Sequence, residues 1–166
     1  MVKMKGMEEC SLKKVLIVTG GSRGIGAATA RLAAQSGYAV CISYLRNKAA
    51  ASAVVDEILK AGGEAIALAA DVSIEAEVVR LFEQVDDAFG PVTALVNNAG
   101  VLEEHMRVEQ IDADRLRRVF ATNVIGSFIC AREAVRRMSS SNGGAGGAIV
   151  NVSSAAARLG SPEFIE

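Results

Sequence analysis

The chain has 166 residues, 51% of them hydrophobic and 22% charged, with a formal net charge of −1. This size suits one domain around one core, and the balance of apolar and charged residues excludes a disordered chain. A near-neutral charge without a basic block argues against nucleic acid as the main partner. Cys10, Cys41 and Cys130 are widely spaced and odd in number, which suits a reducing cytoplasm better than a disulfide framework. Cys41 and Cys130 sit inside apolar runs and read as core residues. Residues 1–14 carry four lysines but no apolar h-region, so they are expected to form neither a signal peptide nor a membrane span. Residues 1–13 are expected to be a flexible lead-in, and 14–166 the folded domain.

Residues 15–18, Val-Leu-Ile-Val, have the pattern of a strand buried on both faces of a parallel sheet. Thr19-Gly20-Gly21-Ser22-Arg23-Gly24-Ile25-Gly26 follows, with a helical pattern starting near Gly24. Such a turn places bare backbone N–H groups at a helix N-terminus, where the macrodipole is worth roughly half a positive charge. It is suited to receive a phosphate; the alternative is an ordinary tight turn. Ile25, Ala28, Leu32 and Ala33 repeat at helical spacing, and Gly37 is placed to end that helix. Residues 39–43 form a second apolar strand. A helix is predicted over 48–60, with Val54, Val55, Ile58 and Leu59 on its buried side and Gly62-Gly63 as its stop.

A third strand is predicted over 64–70, ending at Asp71-Val72. Ser73 is placed to cap the next helix, with Glu75 and Glu77 near its positive end. The apolar face of that helix is the cleanest in the chain: Ile74, Val78, Leu81, Phe82, Val85 and Phe89. Residues 94–96 form a fourth strand running into Asn97-Asn98-Ala99-Gly100. Two helices are predicted next, over 113–122 and 124–138, the second with Val124, Phe128, Ala131, Val135 and Met138 on one face. A glycine-rich loop spans 139–147, and a fifth strand, 148–152, precedes Ser153-Ser154. Five strands separated by helices imply an α/β protein with a doubly wound, Rossmann-type parallel sheet. Ligands then bind at the C-terminal strand ends, near the topological switch point. His105, the lone histidine, has no metal-ligand company and reads as a surface loop residue, so no metal is expected.

The general dinucleotide fingerprint has spacing G-x-G-x-x-G, which this chain does not match. It shows T-G-x-x-x-G-x-G, as Thr19, Gly20, Gly24 and Gly26. Together with Asn97-Asn98-Ala99-Gly100, Asn123 in Ala-Thr-Asn-Val, and Ser154 closing Ile-Val-Asn-Val-Ser-Ser, this resembles the short-chain dehydrogenase/reductase family from Lys14 onward. The resemblance implies strand order 3-2-1-4-5 and hydride transfer between a nicotinamide cofactor and a carbonyl or alcohol substrate. Gly20, Gly21, Ser22, Arg23, Gly24, Ile25 and Gly26 would face the pyrophosphate and adenosine ribose. Asp71 and Val72 would border the adenine, although Asp71 also reads as a strand-end cap. Asn98, Ala99 and Gly100 would border the ribose nearest the nicotinamide.

Cofactor choice is argued from charge. NAD-binding members place an acid near the end of strand two to bind the ribose 2′-OH, but Ser43-Tyr44-Leu45-Arg46-Asn47 has none. Arg23 and Arg46 are at hand instead, and a 2′-phosphate favours guanidinium partners. NADP is therefore favoured over NAD, with Tyr44, Arg46 and Asn47 as contacts; taken alone, Arg46 also reads as a surface charge.

The resemblance assigns catalysis to Asn, Ser, Tyr and Lys. Asn123 and Ser154 match the first two, the asparagine holding a helix and the serine orienting the substrate oxygen. The Tyr-x-x-x-Lys pair expected after the serine is missing: family spacing puts the tyrosine just beyond Glu166, and Tyr38 and Tyr44 lie near strand two. The 166 residues are expected to be an N-terminal fragment, nearly inactive alone, with strand five as an unprotected apolar edge. The competing reading is a non-catalytic nucleotide-binding or interaction protein that has lost its active site. In the family the helix over 124–138 forms the dimer surface, so a homo-oligomer is expected of the complete protein; its apolar stripe also reads as core.

Overall fold

A computed structural model describes residues 13–104 and 106–159. Most of the expected lead-in, Cys10 and His105 lie outside them. The first five elements are β1 (Val15–Val18), α1 (Gly24–Gln35), β2 (Ala39–Tyr44), α2 (Lys48–Lys60) and β3 (Glu64–Ala69). They are followed by α3 (Glu75–Phe89), β4 (Ala94–Asn97), α4 (Ala113–Phe120), α5 (Ser127–Met138), β5 (Ala148–Asn151) and the short α6 (Ala156–Leu159). The strands form one parallel sheet in the order β3-β2-β1-β4-β5, as expected. Ile17 stands opposite Cys41 on one side and Leu95 on the other. The chain winds outward from β1 in one direction and from β4 in the other, which opens the crevice between their C-terminal ends.

Alternation along β1 divides the core into two layers. Val15 and Ile17 point toward α3 and α5, into a cluster with Val78, Leu81, Phe82, Val85, Cys130, Ala134 and Met138. Leu16 and Val18 point toward α1 and α2, against Ala27, Ala30, Ala51, Val54 and Ile58. Both described cysteines are buried and free, in accord with their expected core role. No helix among the described residues is long and apolar enough to cross a membrane.

Five local expectations are corrected. In α1 the buried residues are Gly26, Ala27 and Ala30, while Ile25 and Leu32 are each 64% exposed. A face of small residues lets this helix lie close to the sheet, so its largest apolar side chains are on the outside. In α2, Val54 and Ile58 are buried as expected, but Leu59 is exposed and Ala51 takes the remaining inner position. Ser73 does not cap α3. Its N–H and Oγ–H both donate to Asp71 Oδ1, at 2.9 and 2.6 Å, and Ile74 is the residue preceding the helix.

The two helices predicted over 113–122 and 124–138 are joined without a break. A π-helical stretch, Ala121–Gly126, connects α4 to α5. There Ser127 Oγ donates to the Asn123 carbonyl at 3.1 Å, satisfying backbone in the widened turn. The inner face of α5 is Cys130, Glu133, Ala134 and Met138, whereas Val124, Phe128 and Val135 are exposed. Glu133 is buried because Arg132, Arg136 and Arg137 all donate to its carboxylate, at 2.7–3.1 Å. Arg137 also reaches Asp86 Oδ2 on α3 at 2.6 Å and lies over the Phe82 ring.

Candidate active site

The crevice is assembled from the C-terminal ends of β1, β2 and β4. Thr19, fully buried at the end of β1, accepts on Oγ1 from the backbone N–H groups of Asn98 and Ala99, both at 3.0 Å. Asn98 returns the link: its Nδ2 donates to the carbonyls of Thr19 and Gly20, at 2.9 and 3.0 Å. On the other side, Gly20 N donates to Ser43 Oγ at 3.2 Å and Gly21 N to the Ser43 carbonyl at 3.0 Å. Three loops are thus tied into one floor.

Glycine is required where this floor is tightest. A Cβ on Gly26 would stand 2.5 Å from Asn98 Nδ2 and 2.7 Å from the Gly20 carbonyl oxygen, and one on Gly21 2.5 Å from Ile42 Cγ2. Gly20 has φ +65° and would press a Cβ to 2.9 Å from Ala99 Cα. α1 then begins at Gly24, preceded by Arg23, with no side-chain cap and no acid in its first turn. Its N–H groups are left facing the cleft, the arrangement that receives a phosphate. α2 differs, because Asn47 Oδ1 caps it by accepting from Ala50 N at 2.9 Å.

The cleft encloses about 660 Å³ and is lined by Gly20, Ser22, Arg23, Gly24, Ile25, Tyr44, Arg46, Asn47, Asp71, Val72, Asn98, Ala99 and Gly100. All of these were expected from the sequence. Gly21 and Gly26 do not line it; they shape the floor beneath. Ser43, Leu45, Ala50, Ala70, Val101 and Thr122 also line it and were not singled out, nor was Thr19 as the central hydrogen-bond anchor. Their polar or apolar character alone carries no signal; adjacency to the motif residues at the strand ends was the available clue. Among the lining residues Asp71 is the one acid. Its Oδ1 is engaged by Ser73, and its N–H donates to Glu77 Oε2 at 2.8 Å.

Asn123 lies in the π-helical stretch and pairs with the backbone of Val101 through both halves of its amide. Val101 N donates to Oδ1 at 2.8 Å, and Nδ2 donates to the Val101 carbonyl at 2.9 Å. Ser154 is not among the lining residues. It is exposed after β5, with Oγ accepting from Ala156 N at 3.2 Å. Asn97 links these regions: its buried amide Nδ2 donates to the Ser127 carbonyl and to Asn151 Oδ1, at 3.1 and 2.9 Å. Tyr44 and Lys48 do stand at Tyr-x-x-x-Lys spacing. However, Tyr44 ends β2 and Lys48 opens α2, so they do not share a helix face as that pair requires.

The family model described as short chain dehydrogenase matches residues 14–166. The chain belongs to the short-chain dehydrogenase family. It is 54% identical over 153 residues to the uncharacterized oxidoreductase YgfF of Escherichia coli, covering 92% of this chain and 62% of that protein. It is 37% identical over 149 residues to a 3-oxoacyl acyl-carrier-protein reductase of Synechocystis, covering 90% and 59% respectively. Among solved structures, a short-chain dehydrogenase/reductase from Serratia marcescens superposes with a TM-score of 0.80 at 37% identity, covering 87% of this chain and 56% of that one. This short-chain dehydrogenase therefore spans about three-fifths of the length of the relatives it matches.

Proposed function

We propose that this chain supplies the NADP(H)-binding half, and part of the catalytic group, of an oxidoreductase interconverting a carbonyl and an alcohol. The observation carrying the cofactor choice is a cleft in which the uncapped start of α1 adjoins Arg23 and Arg46 while the end of β2 offers no carboxylate. Guanidinium groups fit a 2′-phosphate in both charge and geometry, whereas a ribose 2′-OH calls for an acid there. When bound, the cofactor supplies or accepts the hydride. The residues named above do the rest: Gly20–Gly26 and the α1 N-terminus hold the pyrophosphate, and Asp71 and Val72 border the adenine. Asn98, Ala99 and Gly100 face the second ribose.

Asn123 serves by fixing the Val101 backbone at the cleft wall. Ser154 accepts from Ala156 N, leaving its own O–H to orient a substrate oxygen. The family's tyrosine and lysine have no counterpart after Ser154 in these residues, and a general acid/base contributes about 10²–10⁴ in rate. Little turnover is therefore expected from these residues alone. The exposed side chains of Phe120, Val124, Phe128 and Val135 fit a homo-oligomer surface of the complete protein. Free, buried thiols accord with a cytoplasmic location.

Calorimetric titration tests the cofactor reading directly. NADPH should bind at least about tenfold more tightly than NADH, a difference of about 1.4 kcal/mol. Arg23→Ala combined with Arg46→Ala should abolish that preference. Tighter binding of NADH by the unaltered chain would overturn the argument.

A further inference from the structure

The segment that follows the Asn-Asn-Ala-Gly turn is latched at successive points to α4 and to the π-helical stretch after it. Nearest the cleft, Val101 is paired with Asn123. Two residues on, the Glu103 carboxylate accepts from Arg118 Nε at 3.0 Å. Beyond it, Arg115 Nη2 donates to the Glu104 carbonyl at 2.6 Å, and Nη1 approaches Met106 Sδ at 3.8 Å. Arg115 stands in the first turn of α4, its backbone N–H held at 2.7 Å by the capping Asp112 Oδ1. It is only 6% exposed, an uncommon position for a guanidinium unless its donors are used.

A surface arginine gripping a surface loop loses chain entropy and gains little. Arg115 is buried, with its fork aimed at a backbone carbonyl of a segment that has no regular secondary structure of its own at that point. A charged donor on a carbonyl makes a strong hydrogen bond, and the planar fork fixes direction as well as distance. The segment so fixed continues directly from Gly100 and Val101, which line the cleft.

Resting on the cofactor reading above, we propose that Arg115, assisted by the Glu103–Arg118 pair, is a positioning residue. It sets the Gly100–Val101 wall against the nicotinamide-ribose half of the dinucleotide, and has no part in holding the adenosine half. The two halves of the ligand are then governed by separate devices: the glycine turn with Arg23 and Arg46 for one, the α4 latch for the other.

Two ligands separate the halves. 2′,5′-ADP fills only the adenosine side, whereas NADPH needs both. Calorimetry on the chain carrying Arg115→Lys, which keeps one donor but loses the fork, should show NADPH affinity reduced about threefold to tenfold and 2′,5′-ADP affinity within twofold of the unaltered chain. Arg115→Met should reduce NADPH affinity further. Glu103→Gln, which leaves the buried arginine untouched, should show the same selective loss at about twofold to threefold. Equal weakening of both ligands in Arg115→Lys and Glu103→Gln would mark a merely structural role and overturn the proposal; unchanged NADPH affinity in both would do so as well. Failure of the unaltered chain to bind either ligand would instead overturn the cofactor reading, and this inference with it.

Discussion

Val15, Leu16, Ile17 and Val18 of β1 are all buried, whereas β5, equally long, has Ile149 half-buried and Val150 54% exposed. The helices divide the same way. α1 and α2 sit on one face of the sheet through alanines, Val54 and Ile58, while α3 and α5 cover the other face of β1 and β2. α4, α5 and the π-helical stretch between them present Phe120, Val124, Ile125 and Phe128 outward, the last 74% exposed. β1 and β2 are thus covered on both faces, whereas β5 is not. In the second half, a polar network is added to the packing: Glu133 with three arginines, Arg137 with Asp86, and Asn97 with Asn151. Close packing tolerates no added atom, while a charge network tolerates no lost partner.

The largest effect should come from adding one carbon to the tight half. Gly26→Ala places a methyl against the Gly20 carbonyl and the Asn98 amide, so it should cost on the order of 3 kcal/mol and remove detectable nucleotide binding. Gly143→Ala is the matched control, with a φ of +83° but open space around it; it should cost roughly 1–2 kcal/mol and leave binding intact. Chemical denaturation and calorimetry read both. A loss at Gly26 no larger than that at Gly143 would mean that close approach does not set the floor.

Next in size is removal of a charge from the network. Glu133→Gln leaves Arg137 without one of its buried partners and should destabilise the chain by about 3 kcal/mol, seen as a lower melting temperature. A change below about 0.5 kcal/mol would show that the α3–α5 contact rests on Phe82 and Leu81 packing alone. Smaller again is the effect of polar substitution on the exposed stripe. Phe128→Ser with Val135→Ser should leave stability within about 0.5 kcal/mol and lower the self-associated fraction in light scattering. A large loss of stability would place those side chains inside the fold.

The smallest expected signal is from the thiols. Burial pushes the Cys41 thiol well above its ordinary value, and burial with the nearby Glu133 charge pushes Cys130 up to about 12. Both should resist a thiol reagent at pH 8 in the folded chain and react once it is unfolded. Because the folded values are raised, the stability they contribute is fully present below about pH 9 and is lost as pH rises from there through the folded value. Reaction of Cys41 or Cys130 without unfolding would show that the core layer between the sheet and α3 and α5 opens locally.

Element order, the parallel sheet and nearly every residue of the cleft floor were legible because they depend on local chemistry. Buried parallel strands show as short apolar runs, and Gly20, Gly21 and Gly26 mark turns where a side chain has no room. The inner face of α3 was legible in its middle turns, where Val78, Leu81, Phe82 and Val85 are buried, but Ile74 is exposed and Phe89 only partly buried. In α1 that rule failed, because close approach to the sheet selects Gly26, Ala27 and Ala30 and leaves Leu32 outside. The joining of α4 to α5 was also hidden, since a π-helical stretch carries no periodicity of its own.

Identity and spacing along the sequence thus determined which strands form, where the glycines must stand and which family the chain resembles. Only the tertiary structure decided that Thr19 anchors the floor, that Asn123 closes on Val101, that Glu133 is buried and that Arg115 grips the segment after β4. All but Glu133, whose arginines lie within four residues of it, depend on a partner far away in the sequence. A hydrogen bond or ion pair of that kind exists only after the sheet has brought its two ends within about 3 Å.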